Sequence, residues 1–291
     1  MKGRAVALGA GTVLNALATG VGSAFAIDAE TTATVELDDS GEVRGDVDGA
    51  PDADTRLIER CVELTVERYG SDDDGGRVRT ESEVPMAAGL KSSSAAANAT
   101  VLATLSALGV DVGDADSGGR VTRLDACRLG VEAARDAGVT VTGAFDDASA
   151  SMLGGVTLTD NTRDDLLARD ERDWDVLVWT PPERAYSADA DVSRCERVAP
   201  MARLVADLAS EGRYAAGMTV NGLAFSAALG FPTDPAVEAM PHADGVSLSG
   251  TGPSVVAVGH RDELETVAAM WGERDGTTRL TTTRTDGARV L

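Results

Sequence analysis

The residues best able to do chemistry stand together in the run Pro85-Met86-Ala87-Ala88-Gly89-Leu90-Lys91-Ser92-Ser93-Ser94-Ala95. Val78 to Val84 alternates before it and predicts a strand. Ala95 to Leu108 is alanine-rich and predicts a helix stopped at Gly109. A strand, a glycine loop and a helix start make an anion site. Gly89 lets the backbone approach a ligand, and the hydroxyls of Ser92, Ser93 and Ser94 face it with the free N–H groups of the first helical turn and the positive end of the helix dipole. One serine serves as a helix cap; three exceed that need, which points to phosphate. Lys91 supplies a compact charge with three donors, in a chain with 24 Arg and only two Lys, Lys2 and Lys91. The loop is not a Walker A sequence, because GxxxxGK[ST] requires glycine where Leu90 stands.

The same loop, read as Pro85-x-x-x-Gly89-Leu90-x-Ser92-Ser93-x-Ala95, resembles the second motif of the galactokinase, homoserine kinase, mevalonate kinase and phosphomevalonate kinase (GHMP) superfamily. Ser249-Gly250-Thr251-Gly252-Pro253-Ser254 resembles that superfamily's C-terminal glycine motif, and Thr142 to Ala148 its aspartate segment in the mevalonate kinase branch. The three occur in the right order and spacing and span most of the chain. Gly89 to Ala95, Asn15 to Gly20 with Gly22 to Phe25, and Gly143 to Ala148 are similar to archaeal shikimate kinases.

The resemblance implies an α+β, two-part GHMP kinase fold. Residues 1–158 would form a half like ribosomal protein S5 domain 2, with the phosphate loop and catalytic aspartate. Residues 159–291 would form a ferredoxin-like α/β half with the glycine motif. It implies ATP and Mg²⁺ as cofactors and phosphorylation of the 3-hydroxyl of shikimate on the route to aromatic amino acids. Pro85, Ala87, Ala88, Gly89, Leu90, Lys91, Ser92, Ser93, Ser94 and Ala95 would hold the nucleotide. Ser93 and Glu132 would hold the metal, and Lys91 would neutralise phosphate charge. The catalytic carboxylate is Asp146 by the Asp-Asp-Ala pattern and Asp147 by counting back from Gly154-Gly155, and both stay open. Asn15, Thr19, Ser23, Thr251 and Gly252 would line the acceptor site; no cation is singled out for the acceptor's carboxylate. The rival readings are a homoserine kinase and a non-catalytic nucleotide-binding sensor.

Further elements must position these residues. Arg4 to Leu8 reads as a strand, with a glycine turn and a second strand or short helix after it; Thr31 to Leu37 is again strand. Asp54 to Tyr69, Arg123 to Ala137, Ala199 to Glu211 and Ala215 to Leu229 have helical spacing. Val139 to Gly143 is short and β-branched. Asp160 to Asp175 reads as a solvated connection, Val176 to Thr180 as a buried strand, and Val246 to Gly259 as strand, glycine loop, strand. Mixed order without a repeating βαβ unit favours α+β.

Composition narrows the function. The net charge is −22, with 31 Asp and 17 Glu, which argues against nucleic acid as a partner, and ten aromatic residues leave few stacking platforms. Scattered Asp with almost no Lys suits a solvent of molar salt, where screening removes self-repulsion. No apolar run reaches the ~20 residues of a membrane span. Met1 to Ala26 has the outline of a secretory signal, but Gly9, Gly11, Gly20 and Gly22 interrupt its apolar part. Gly9-Ala10-Gly11 lacks the third glycine of a dinucleotide fingerprint. Cys61, Cys127 and Cys195 lie far apart and only two His occur, so neither zinc nor a disulfide framework is expected. The balance points to an intracellular, reducing compartment, the cytoplasm, and the sequence carries no sign of its oligomeric state.

Overall fold

β1 (Lys2–Leu14) and β2 (Val21–Asp38) form a long antiparallel ribbon joined through a single 3₁₀ turn at Ala16–Ala18. β1 is buried almost without break from Ala5 onward, because helices cover one face and the C-terminal half covers the other. Most of the residues that mimic a secretory signal, from Ala5 to Leu14 and from Gly22 to Ala26, are therefore buried strand. The structure, a computed structural model, describes residues 1–71, 75–113, 121–140, 142–184 and 191–291. Val141, in the β-branched segment before Gly143, lies outside them.

The first sheet continues with β3 (Val43–Val47) and β4 (Gly75–Ser82), in the order β3, β4, β2, β1. Helix α1 (Arg56–Tyr69) lies between those two strands in sequence, and α2 (Ser92–Ala107) follows the phosphate loop. A two-residue pair, β5 (Val112–Gly113) and β6 (Val121–Thr122), leads to α3 (Arg123–Asp136), which a Thr122–Asp125 capping box starts. α4 (Phe145–Leu153) precedes β7 (Val156–Asp160) and β8 (Asp165–Asp170). α2 has no polar face: small side chains let it pack centrally against the other helices and the sheet.

The second sheet holds β9 (Asp175–Thr180), β10 (Gly245–Leu248), β11 (Val255–Gly259) and β12 (Thr277–Thr282), in the order β10, β11, β9, β12. Helices α5 (Ala199–Ser210), α6 (Tyr214–Leu229) and α7 (Asp234–Ala239) join β9 to β10, and α8 (Arg261–Gly272) joins β11 to β12. Strand, helix, two strands, helix, strand in that order is the ferredoxin-like arrangement.

Two expectations change. Asp160 to Asp175 is not simply a solvated connection, since β8 pairs antiparallel with β7 along its length. Neighbouring backbone supplies what the acidic composition hides, and the charges line a sheet edge. The halves also do not part at residue 158. β7 runs through that point, β8 extends the first sheet to Asp170, and the C-terminal β13 (Arg289–Val290) returns to pair with β1.

Candidate active site

The phosphate loop takes a path that few residues can follow. Ala87, Gly89 and Lys91 all have positive φ, at 54°, 80° and 67°. At Gly89 a Cβ would fall 2.2 Å from the Ser249 carbonyl oxygen, so only glycine fits. The two glycine motifs are tied together here. Ser249 Oγ donates to Gly89 O at 2.8 Å, and Ser254 N donates to Ala88 O at 3.2 Å. From the N-terminal side, Gly250 N donates to Thr12 Oγ1 and Asn15 Nδ2 donates to Gly250 O at 2.7 Å. Asn221 on α6 accepts from Asn15 N, which adds the second half to the same network.

Lys91 occupies the N-cap position of α2 but does not cap it. Its ammonium turns inward and meets Asp147 Oδ1 at 2.7 Å. The start of α2 therefore presents its N–H groups, with Ser92, Ser93 and Ser94, to a cavity of about 900 Å³. That cavity runs from the glycine motifs past Lys91 and Asp146 to a wall between Leu57 and Ile58 on one side and Val131, Ala134 and Val139 on the other.

Asp146 and Asp147 lie in the first turn of α4, behind Phe145 and the N-cap Ala144 at φ 51°. Asp146 is 5% exposed and touches the bare backbone of Gly22, where a Cβ would lie 2.5 Å from its Oδ2. Asn161 Nδ2 donates to its Oδ1 at 2.6 Å. Burial above all, and then the Asp147 charge, push the Asp146 carboxyl up to about 7, while Lys91 and Asn161 pull the other way. A carboxyl poised there can accept a proton near neutral pH.

Asn15, Ala87, Gly89, Lys91, Ser92, Ser93, Ser94, Asp146, Asp147 and Thr251 all border the cavity. Ala88, Leu90 and Ala95 are buried beneath it and shape the loop, and Pro85 is exposed at its start. Gly252 packs on the Phe231 ring and donates to Ser249 O, a turn-forming role. Thr19 is spent on its own turn, accepting from Val21 N, and Ser23 is fully buried in β2. Glu132 is the clearest departure. On α3 the cavity face is Gly130, Val131 and Ala134, and helical geometry turns residue 132 outward. There it is exposed and pairs with Arg68 at 3.2 Å. Asn161 and Arg184, which also reach this region, carry no sequence signal beyond a turn and an isolated arginine.

The profile for the GHMP kinases N terminal domain matches residues 56–155. A shikimate kinase of Halobacterium salinarum is 67% identical over 291 residues, covering all of both chains. The chain belongs to the GHMP kinase family. Within that family it also shares 48% identity over 273 residues with a shikimate kinase of Methanosarcina mazei, covering 93% of this chain and 90% of the relative. The fold extends further than the sequence. A homoserine kinase from Cytophaga hutchinsonii superposes with a TM-score of 0.76 at 17% identity, covering 100% of this chain and 97% of that one. The Methanococcus jannaschii mevalonate kinase gives 0.71 at 12%, covering 100% and 98%. The family fold thus stands on the structure and the specific likeness on the archaeal relatives.

Proposed function

We propose that this chain is an ATP-dependent shikimate kinase, moving the γ-phosphoryl group of ATP to the 3-hydroxyl of shikimate. The observation that carries the substrate is the 67% identity, over the whole length of both chains, with a protein named shikimate kinase. The site supports the reaction class.

Phosphoryl transfer is chiefly positioning and charge stabilisation. The first turn of α2 and the loop from Ala87 to Ser94 hold the nucleotide phosphates, and Lys91 neutralises part of their charge. The apolar wall at Leu57, Ile58, Val131 and Val139 suits a flat base. Asp146 takes the acceptor's hydroxyl proton as its oxygen bonds to phosphorus and ADP leaves. Mg²⁺ would supply positive charge to offset that of the phosphates. The donor chemistry fits an ion of that kind: the Ser93 hydroxyl is a hard oxygen donor and stands exposed at the cavity. Ser93 would hold it alongside phosphate and water, without Glu132. Arg184, at the edge of the cavity, is the cation available to the acceptor's carboxylate.

Among the described residues no helix is long and apolar enough to cross a membrane. The reading of a cytoplasmic setting of high salt rests on the net charge of −22. The deciding assay offers shikimate, homoserine and mevalonate separately, follows ADP release, and runs in molar KCl. Turnover on shikimate alone is expected. Turnover on homoserine would overturn the substrate, and ATP binding without turnover on any acceptor would overturn the enzyme.

A further inference from the structure

Asn161 follows β7 and is 3% exposed. Its amide makes contacts that can be satisfied in one orientation only. Oδ1 accepts from Asp146 N at 3.1 Å and from Thr159 Oγ1 at 2.8 Å. Nδ2 donates to Asp146 Oδ1 at 2.6 Å and reaches Thr142 Oγ1 at 3.4 Å. A backbone N–H can only donate, so oxygen must face it, which leaves nitrogen to face the carboxylate. Asn161 thus grips both the main chain and the side chain of Asp146. The other carboxylate oxygen, Oδ2, lies against Gly22 with no room for a side chain between them.

We infer that Asn161 is a positioning residue for the transfer step, locking the Asp146 carboxylate in the orientation from which it takes the acceptor's proton. The inference rests on Asp146 acting as the base. An amide suits this role because it orients a carboxylate without adding a charge or a competing proton. A cation in its place would hold the carboxylate ionised and make it a poorer base. The charged groups facing Asp146 are Asp147, which opposes its ionisation, and Lys91, which favours it. Asn161 sides with Lys91, so its loss would make Asp146 harder to ionise.

The test compares Asn161→Ala and the isosteric Asn161→Asp with wild type, using Asp146→Asn as the control for the base. Thermal melts establish folding, and kcat and both KM values are followed from pH 5 to 10. For Asn161→Ala, kcat should fall about 10- to 100-fold with both KM values within about twofold, and the acidic limb of kcat should move up by about one pH unit. For Asn161→Asp, two carboxylates compete at the site of the 2.6 Å bond and the limb should move further in the same direction. A folded variant with kcat and limb unchanged would overturn the inference. So would a rise in KM with kcat intact. If Asn161→Ala does not fold, Asn161→Asp decides alone by the same limb. Retained turnover in Asp146→Asn would instead refute the base itself, an outcome distinct from the failure of Asn161.

Discussion

Lys91 Nζ lies 2.7 Å from Asp147 Oδ1, with the two side chains 4% and 19% exposed. A Cβ on Gly250 would sit only 2.8 Å from the same ammonium nitrogen. The C-terminal glycine loop therefore closes over a nearly buried ion pair. Removing one partner of such a pair strands the other charge in a poor solvent.

Lys91→Met should thus lower kcat/KM by at least about a hundredfold, through lost phosphate charge and an unpaired Asp147. Lys91→Arg should not restore it. The guanidinium keeps the charge, but it is a broad plane and the Gly250 backbone leaves room for a compact ammonium. Steady-state kinetics on both variants, with melts in molar KCl, would check this. Wild-type turnover in Lys91→Arg would show that charge alone suffices.

Asp146 should cost stability at the pH where it works. Its folded carboxyl ionises near 7 against an ordinary value of 3.8, so between those limits the folded state holds more protons than the unfolded state. Stability then falls as pH rises from about 4 to about 7, and the full penalty persists above that. The size is on the order of a few kcal/mol. Asp146→Asn should therefore melt higher than wild type at pH 8, converge with it near pH 4, and lose about 10²- to 10⁴-fold in kcat. Equal melting at pH 8 would argue against the buried charge.

The loop at Gly89 was legible in the sequence because its constraints are local: a glycine that must approach a ligand, three hydroxyls, and a helix start. Asp146 was legible only as one of an adjacent pair, and the structure separates the two by environment. Asp146 turns in toward Asn161 and Gly22, while Asp147 turns toward Lys91. Asn161 could not be read, because its role depends on β7 ending beside α4, a tertiary fact that no spacing encodes. That Glu132 turns away from the cavity could not be read for a similar reason. Its helix was expected at Arg123 to Ala137, but which face meets the cavity is set by α2 packing on α3.

Gly89 and Gly250 should respond differently to alanine. At Gly89 the added Cβ meets the Ser249 carbonyl oxygen at 2.2 Å and then Gly252 O, which are backbone atoms held by the paired glycine motifs. At Gly250 it first meets Lys91 Nζ at 2.8 Å, the end of a flexible side chain. Both have positive φ. Gly89→Ala should destabilise by at least about 2 kcal/mol and yield little folded protein. Gly250→Ala should fold, with a kcat deficit and a melting loss well below that of Gly89→Ala. Urea unfolding and kinetics on the two variants would separate these outcomes.

Glu132→Gln should leave turnover and its Mg²⁺ dependence within about twofold of wild type, since an exposed pair such as Glu132–Arg68 contributes about 0–1 kcal/mol. Ser93→Ala, in contrast, should raise the Mg²⁺ concentration needed for half-maximal rate. Metal titrations of both variants at fixed ATP would check the assignment, and a large shift in Glu132→Gln would return that carboxylate to the site.

Among the described residues three cations border the cavity, and two already have anionic partners. Lys91 pairs with Asp147, and Arg56 is held by Asp54 at 2.5 Å toward the end lined by Leu57 and Ile58. Arg184 forms no ion pair among the described residues and borders the same cavity as Asn15, Gly250 and Thr251. An acceptor carrying a carboxylate needs a positive group on that side, because Asp146 and Asp147 would otherwise repel it. Arg184→Ala should raise the acceptor KM about 10- to 100-fold while the ATP KM and kcat change little, the pattern of lost ground-state binding. Arg184→Lys should recover part of the loss, as a point charge lacking the bidentate fork. The sharpest check replaces the acceptor: an amide analogue of its carboxylate should bind wild type poorly and gain nothing from Arg184. An unchanged acceptor KM in Arg184→Ala would send the search for the carboxylate's partner elsewhere on the cavity wall.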